Sequence, residues 1–395
     1  MRTRYPLWLF LPLLVFMFAT ANAQSKQNLR GSTTLKMTID KGWQFRQIDK
    51  TSWYPAKVPG EVHMDLLANK LIEDPFYRDN ETKQQWIGKT DWEYRTTFKV
   101  SLPVLDRKNV ELVFDGLDTY ADVYLNEKLI FKADNMFRTW RVNCKDSLKL
   151  GDNALLIKFG SPINEILPLM AKMSYQLPAG NDQGEKTSPH TRKAPYQYGW
   201  DWGPRFVTSG IWKPVRLEAW DSARVSDLYI AQNQVSKELA NLTAYVDVTS
   251  ANESDAELII EDVGHKSVLT KQAIKLKGGR NNFKIDFAVA KPQLWWPNGL
   301  GAHPLYTFKS RLLIGGQASD EKSVRTGLRS LEVRQENDEW GKSFAFVVNG
   351  VPVFGKGANW IPADSFPTRI TSERYRWLLK SAADANMNMI RVWGG

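Results

Sequence analysis

From Thr33 to Gly327 the chain repeats one device: a short run in which apolar and polar side chains alternate, closed by a turn signal. Alternation with period two sends successive side chains to opposite faces of a strand, so each run can bury one face only. Leu35, Met37 and Ile39 form the first such run, and Gly42-Trp43-Gln44-Phe45 continues it. Trp92, Tyr94 and Thr96 alternate with Glu93, Arg95 and Thr97. Val110 to Phe114 precedes Asp115-Gly116, a strong turn pair. Ala121 to Leu125, Asn126-Glu127 and Lys128 to Phe131 read as a hairpin, and Ala154 to Phe159 as a buried strand. Many short strands at this spacing can bury their apolar faces only against a second sheet, which predicts a jelly-roll β-sandwich over residues 33–222. Val62 to Leu71 is the exception and predicts a short helix.

A second all-β unit is predicted over residues 223–330. Leu242, Ala244, Val246 and Val248 alternate with Thr243, Tyr245 and Asp247; Leu258 to Ile260, Phe283 to Phe287 and Leu305 to Phe308 follow. About seven strands in this length suit an immunoglobulin-like β-sandwich, without the cysteine pair of antibody domains. Between the strands of the first unit, Ile163 to Tyr198 is long, polar and rich in Pro and Gly. Long irregular segments of this kind are often binding loops.

After Leu331 the period changes. Phe344 to Val348 and Val351 to Phe354 flank Asn349-Gly350, and Gly357 to Ile361 reads as a strand entering a loop. Thr371 can cap a helix whose face carries Tyr375, Leu378, Leu379 and Ala382, and Asn386 can end it. Met389 to Trp393 is again a strand, and Gly394-Gly395 begins a turn. Residues 331–395 therefore predict a β-α-β unit. One helix covers only one face of a parallel pair, so further structure is expected after it and the chain is expected to be truncated.

The N-terminus has the three parts of a signal peptide: Arg2 and Arg4, an apolar stretch from Pro6 to Phe18, and Ala21-Asn22-Ala23 as a cleavage site. Residues 1–23 are expected to be removed, leaving an exported protein that is not held in a membrane: periplasmic or extracellular, lysosomal in a eukaryote. Export permits disulfides, but Cys144 is the sole cysteine, so stability must come from core burial. The net charge of +10 arises from Lys and Arg interleaved with Asp and Glu, without a basic run, which argues against a nucleic-acid partner. One cysteine and four dispersed histidines (His63, His190, His265 and His303) give no metal-ligand spacing, and no metal or cofactor is expected. Gly350 to Lys356 has the Gly-Lys spacing of a phosphate loop, but Gly357 stands where Ser or Thr is required.

Aromatics are abundant, with 16 Trp, 13 Tyr and 18 Phe. They serve sandwich cores, sugar-stacking surfaces, or both. In Trp200-Asp201-Trp202 a carboxylate lies between two indoles. Asp201 could accept hydrogen bonds from two sugar hydroxyls while flat rings meet the sugar's C–H face. It could equally cap a turn with both rings in the core, and the spacing does not choose.

Three stretches carry a family resemblance. The first is Val58-Pro59-Gly60-Glu61-Val62-His63-Met64-Asp65-Leu66-Leu67, with Asp74-Pro75-Phe76-Tyr77 and Trp92-Glu93-Tyr94 after it. The second is Arg192-Lys193-Ala194-Pro195 and Gly199-Trp200-Asp201-Trp202-Gly203-Pro204. The third is Gly357-Ala358-Asn359-Trp360-Ile361-Pro362, continuing in Met389-Ile390-Arg391-Val392-Trp393-Gly394-Gly395. With Leu294-Trp295-Trp296-Pro297-Asn298-Gly299, which fits the family broadly, the chain resembles the β-mannosidase branch of glycoside hydrolase family 2.

The resemblance implies a mainly β chain in three parts: jelly roll, immunoglobulin-like sandwich, and the first β-α-β unit of a truncated (β/α)8 barrel. It implies an exo-acting retaining glycosidase that releases terminal β-linked mannose from mannosides or oligosaccharides. Asp201, Trp202 and Trp200 would reach into the sugar pocket, and Trp393 would line it. Arg391 would hold a catalytic carboxylate, and Asn359 and Trp360 would end the first barrel strand at the site. His63, Asp65 and Lys193 match the family but read as structural. The two catalytic glutamates would stand at the ends of the fourth and seventh barrel strands. A barrel takes about 250 residues, so no catalytic residue is expected in this chain, and Asn80-Glu81, Asn126-Glu127, Asn164-Glu165 and Asn252-Glu253 are decoys. The other readings are a further sugar specificity (exo-β-glucosaminidase, β-galactosidase or β-glucuronidase) and a non-catalytic carbohydrate-binding protein. Oligomeric state is not legible.

Overall fold

A computed structural model describes residues 34–393. The signal peptide expected at residues 1–23 and the closing Gly394-Gly395 lie outside the described residues. No helix among the described residues is long and apolar enough to cross a membrane.

The first unit is an antiparallel sandwich. One sheet has four strands, in the order Leu35–Thr38, Val215–Trp220, Asn109–Phe114, Trp140–Asn143. The other has six, in the order Tyr54–Pro55, Gln44–Gln47, Trp92–Val100, Gly151–Gly160, Tyr120–Leu125, Lys128–Asp134. Alternation does what the residues imply. Tyr94, Phe98, Val123, Ile157 and Phe159 from the larger sheet meet Leu112, Phe114, Val215 and Leu217 from the smaller in one buried cluster. Asn126 and Glu127 both take positive φ, 48° and 70°, and close the expected hairpin with Leu125 opposite Lys128.

Asp115-Gly116 behaves differently from its expected turn role. The strand before it lies in the four-stranded sheet and the strand after it, Tyr120–Leu125, in the six-stranded one. The pair therefore starts a crossover. Gly116 is needed there because a Cβ would run into the indole of Trp212. The short helix spans Val62–Ala68 and buries Val62, His63, Asp65 and Leu66.

The second unit packs three strands (Ala223–Val235, Leu239–Ser250, Gly279–Ala290) on four (Ser267–Leu276, Ser254–Asp262, Tyr306–Ile314, Gln317–Thr326). Seven strands facing across one core of Leu242, Val246, Leu258, Ile260, Ile285 and Phe308 make it immunoglobulin-like.

The last segment begins with a three-stranded antiparallel sheet, Leu331–Arg334, Ala345–Val348 and Val351–Val353. Gly357–Trp360 then pairs in parallel with Met389–Val392, joined by the helix Ser372–Asp384. Thr371 caps that helix as expected, its Oγ1 accepting from the Arg374 N–H at 3.2 Å, and Asn386 follows it at φ 60°. The expected apolar helix face is half realised. Leu378 and Ala382 are half-buried, whereas Leu379 is exposed and Tyr375 stays exposed on one side although its ring stacks on Trp360.

Candidate functional site

The loop Gly199 to Pro204 leaves a 3-10 turn, Pro195–Tyr198, through Gly199 at φ 99°. It doubles back at once, with the Trp200 N–H donating to the Gly203 carbonyl at 3.1 Å. This tight return puts Trp200 and Trp202 on either side of exposed Asp201. Both indoles then meet Trp393 from the far end of the sequence. The Trp200–Trp393 centroids are 4.8 Å apart at 82°, and the Trp202–Trp393 centroids 5.9 Å apart at 83°. Such edge-to-face contacts stabilise by roughly 0.5–1.5 kcal/mol each beyond their buried area. Tyr196 supports Trp202 from behind, at 5.7 Å.

Trp393 is held by its backbone, its N–H donating to the Trp360 carbonyl at 2.9 Å. On the paired strands Arg391 stands opposite Asn359, and its guanidinium donates to Asn359 Oδ1 at 3.1 Å. Trp360 stacks on Tyr375 of the helix, 6.3 Å apart at 23°. Trp200, Trp202 and Trp393 thus form one cluster with Asp201 beside it, while Arg391 and Asn359 form an exposed pair on the same two strands. The Trp202 Nε1–H is buried without a hydrogen-bond partner among the described residues. A buried indole donor normally finds one.

Beneath this loop lies a buried polar cluster. Lys193 and Asp118 are fully buried and ion-paired, and Lys193 Nζ also donates to the Thr208 carbonyl at 2.8 Å. Burial pulls the Lys193 pKa down against the attraction of Asp118. Glu61, wholly buried, accepts from Thr368 Oγ1 at 3.1 Å across 307 positions of sequence. Burial, and then the negative charge of Asp118, push its carboxyl up to about 8. His63 lies against Phe206 and Phe366; burial, with the charge of Lys193, lowers its pKa to about 3. Asp65 accepts from the Tyr94 hydroxyl at 2.7 Å and from the Lys57 N–H at 2.9 Å, and burial raises it to about 7. Glu61 and His63 reach the segment at Ser365 to Arg369 through Thr368 and Phe366, whereas Asp65 and Lys193 find their partners within the first sandwich.

Two features escaped the sequence reading. Tyr196 had a signal in its place between Pro195 and the tryptophan loop. Asn298 had one in the Trp-Trp-Pro-Asn-Gly motif, but its target lay far along the chain. Its amide donates to the carbonyls of Ala383 and Met387 at 3.1 and 3.0 Å, satisfying the end of the helix Ser372–Asp384. Three of the four Asn-Glu pairs have structural work: Glu81 accepts from the Arg205 N–H at 2.6 Å, Asn126-Glu127 closes a hairpin, and Asn164 donates to the Lys89 carbonyl at 2.8 Å. Among the described residues no three His, Cys, Asp or Glu side chains gather as for a metal ion.

Comparison with known proteins matches residues 43–213 to a glycosyl hydrolase 2 galactose-binding domain-like family and residues 223–329 to glycosyl hydrolases family 2. A β-mannosidase B of Thermothelomyces thermophilus is 39% identical over 367 residues, 90% of this chain and 42% of that protein. One from Aspergillus terreus is 37% identical, over 91% and 43%. The chain spans less than half the length of these relatives. The crystal structure of a β-D-mannosidase from Dictyoglomus thermophilum superposes with a TM-score of 0.85 at 39% identity, over 91% of this chain and 44% of that one. An exo-chitosanase from Amycolatopsis orientalis shares the fold, with a TM-score of 0.72 at 21% identity, over 91% and 41%.

Proposed function

The chain belongs to glycoside hydrolase family 2, and from that premise we propose that it is the N-terminal portion of an exo-acting retaining glycosidase that releases terminal β-linked mannose. The observation that carries the reading is the meeting of Trp200 and Trp202 on Trp393 beside exposed Asp201. In an exo-acting enzyme one terminal sugar is enclosed. Aromatic walls meet its C–H faces, and a few polar groups choose among hydroxyl patterns. Asp201 accepts from two hydroxyls, and the Trp202 ring stands beside it. Trp200 and Trp393 shape the walls. Arg391, with Asn359, holds a catalytic carboxylate, and Trp360 closes the strand end. Mannose is favoured over the sugars of other family members by the likeness to β-mannosidases at 36 to 39% identity.

In this reading residues 33–222 are a sugar-binding jelly roll, 223–330 a spacer sandwich, and 331–395 the start of a (β/α)8 barrel. The two glutamates come from the rest of that barrel in the longer protein. With carboxyl groups about 5–5.5 Å apart, one protonates the leaving oxygen while the other attacks to form a glycosyl-enzyme, which water then hydrolyses with net retention. Residues 1–23 direct export, to periplasm, extracellular space or lysosome.

The test uses the full-length protein with aryl glycosides of mannose, glucosamine, galactose and glucuronic acid. The mannoside should be turned over fastest. Asp201→Ala should lower kcat/KM about a hundredfold or more with an unchanged urea midpoint, and the 395-residue chain alone should show no turnover. A faster glucosaminide would reassign the sugar. Mannan binding without any turnover by the full-length protein would make it a binding protein.

A further inference from the structure

The outward face of the six-stranded sheet contributes no residue to the tryptophan cluster, yet it is built like a site. Four neighbouring strands present alternate side chains there. Gln44 and Arg46 face Arg95 and Glu93 in register, Glu93 and Thr97 face Lys158 and Ala154, and Tyr124 faces Leu156. Trp53 overhangs one side, Glu127 stands at the hairpin turn, and small residues at Gly42, Thr97 and Ala154 leave the floor open. The result is a groove of about 770 Å³, within the range of small-molecule sites.

Its polar groups are pre-ordered. Glu93, with a side chain 4% exposed, is gripped by Arg46 at 2.6 Å and Lys158 at 3.4 Å. Arg95 donates to Gln44 Oε1 at 3.0 Å and lies 3.9 Å from the Trp53 ring centroid, with Arg46 at 4.4 Å. The guanidiniums are therefore fixed in direction by an amide, a carboxylate and an indole. Three cations lie in the groove against Glu93 and the rim residue Glu127, and among the described residues Arg95 has no carboxylate partner. An ion pair that served stability alone would need no cavity over it and no surplus oriented donor. Guanidinium forks bind carboxylates in two parallel hydrogen bonds, while Gln44, Thr97 and the Tyr124 hydroxyl suit a polyol.

We propose that this groove is a binding site for an acidic oligosaccharide, a sugar chain whose carboxylate docks on Arg95 and whose hydroxyls meet Gln44, Thr97 and Tyr124. It lets a glycosidase of this kind stay on a uronate-bearing glycan, independently of which terminal sugar it releases.

The experiment is calorimetric titration of the full 395-residue chain with trigalacturonate, with mannotriose and sodium acetate as comparators. Trigalacturonate should bind, mannotriose at least about tenfold more weakly, and acetate not measurably. Arg95→Ala should weaken binding about tenfold or more, a loss of about 1.4 kcal/mol. Arg95→Lys should fall between, since it keeps the charge but loses the fork. Ala154→Trp, at an exposed position, should block the groove without touching a charge, and an unchanged urea midpoint for each variant excludes misfolding. Absence of trigalacturonate binding would overturn the proposal, as would wild-type affinity in both Arg95→Ala and Ala154→Trp. Equal affinity for acetate would leave a bare anion site and overturn the saccharide assignment.

Discussion

Two helices in this molecule teach opposite lessons. Val62–Ala68 is seven residues long, lacks a side-chain cap, and buries four of its residues in the first sandwich. Ser372–Asp384 is thirteen residues long, capped by Thr371, and buries none. The same contrast runs through the sheets they accompany. Phe45 and Ile157 are fully buried within the first unit, whereas Phe354 is 83% and Val392 77% exposed in the last. Burial of apolar area is the dominant favourable term in folding. The two sandwiches supply their own, while the last unit has local order, from caps, turns and a parallel pair, and leans on its neighbours through a few polar contacts and aromatic ones, Trp393 on Trp200 and Trp202 and Phe366 on Phe206.

Substitutions can break that contrast. The largest effect is expected in the first core. Phe45→Ala should cost about 3–5 kcal/mol of stability, whereas Phe354→Ala should stay within about 0.5 kcal/mol; urea melts of both would measure the difference. A comparable loss at Phe354 would mean that the terminal unit is packed in solution. Next is the buried pair beneath the tryptophan loop. Lys193→Met leaves Asp118 uncompensated and should cost about 3 kcal/mol, read by thermal melts. An unchanged melt would show that water reaches the pair.

Smaller effects sharpen the dependence of the last unit on its supports. Asn298→Ala removes two donors from the carbonyls at the end of the helix. It should cost about 1–2 kcal/mol locally, visible as faster amide exchange in Ala382 to Met387 while the first sandwich stays protected. Uniform acceleration across the chain would mean that the units unfold together. The smallest and most specific effect is in pH. Glu61 has a folded pKa of about 8 against an ordinary 4.5. The folded state therefore binds the proton more tightly. The stability it contributes is complete below about pH 4.5 and is lost as pH rises to about 8. Its hydrogen bond from Thr368 places this loss at the junction of the first sandwich and the terminal unit. Glu61→Gln should flatten that decline in denaturant midpoints between pH 5 and 8, and a slope equal to that of the parent chain would remove Glu61 as its cause. His63 acts in the opposite sense. With its pKa lowered from 6.5 to about 3, it contributes stability above about pH 6.5 that is lost as pH falls toward 3.

Most strand runs were legible because period two is a local property. Ala244 to Val248 alternates in sequence and alternates in burial, with Thr243 before it the one polar member that is buried. Asn126 and Asn349-Gly350 were legible as turns because Asn and Gly tolerate the positive φ that the turn needs, whereas Glu127 takes φ 70° without that preference. Asp115-Gly116 misled because a turn pair names a bend and not the sheet to which the chain returns. Tyr375 and Leu379 misled because helical periodicity shows which face is apolar but not what covers it. In the candidate site Trp200, Asp201, Trp202 and Trp393 stood out as residues, yet their meeting joins positions almost two hundred apart, and neither Tyr196 behind Trp202 nor Asn298 beneath the helix announces its partner.

What the amino-acid order determined by itself was the inventory: two β-sandwich units, a terminal β-α-β unit, and an acid set between two indoles. These follow from side-chain period, turn conformers and capping, which act within a few residues. Tertiary structure alone decided that Trp393 closes on the Trp200 and Trp202 rings, that Glu61 meets Thr368 and Lys193 meets Asp118, and that Arg95 lies over Trp53 above an open groove. Those contacts depend on how whole sheets stack and where the chain crosses between them. Burial then turns a shared position into a shifted pKa or an oriented donor, which no local pattern in the sequence encodes.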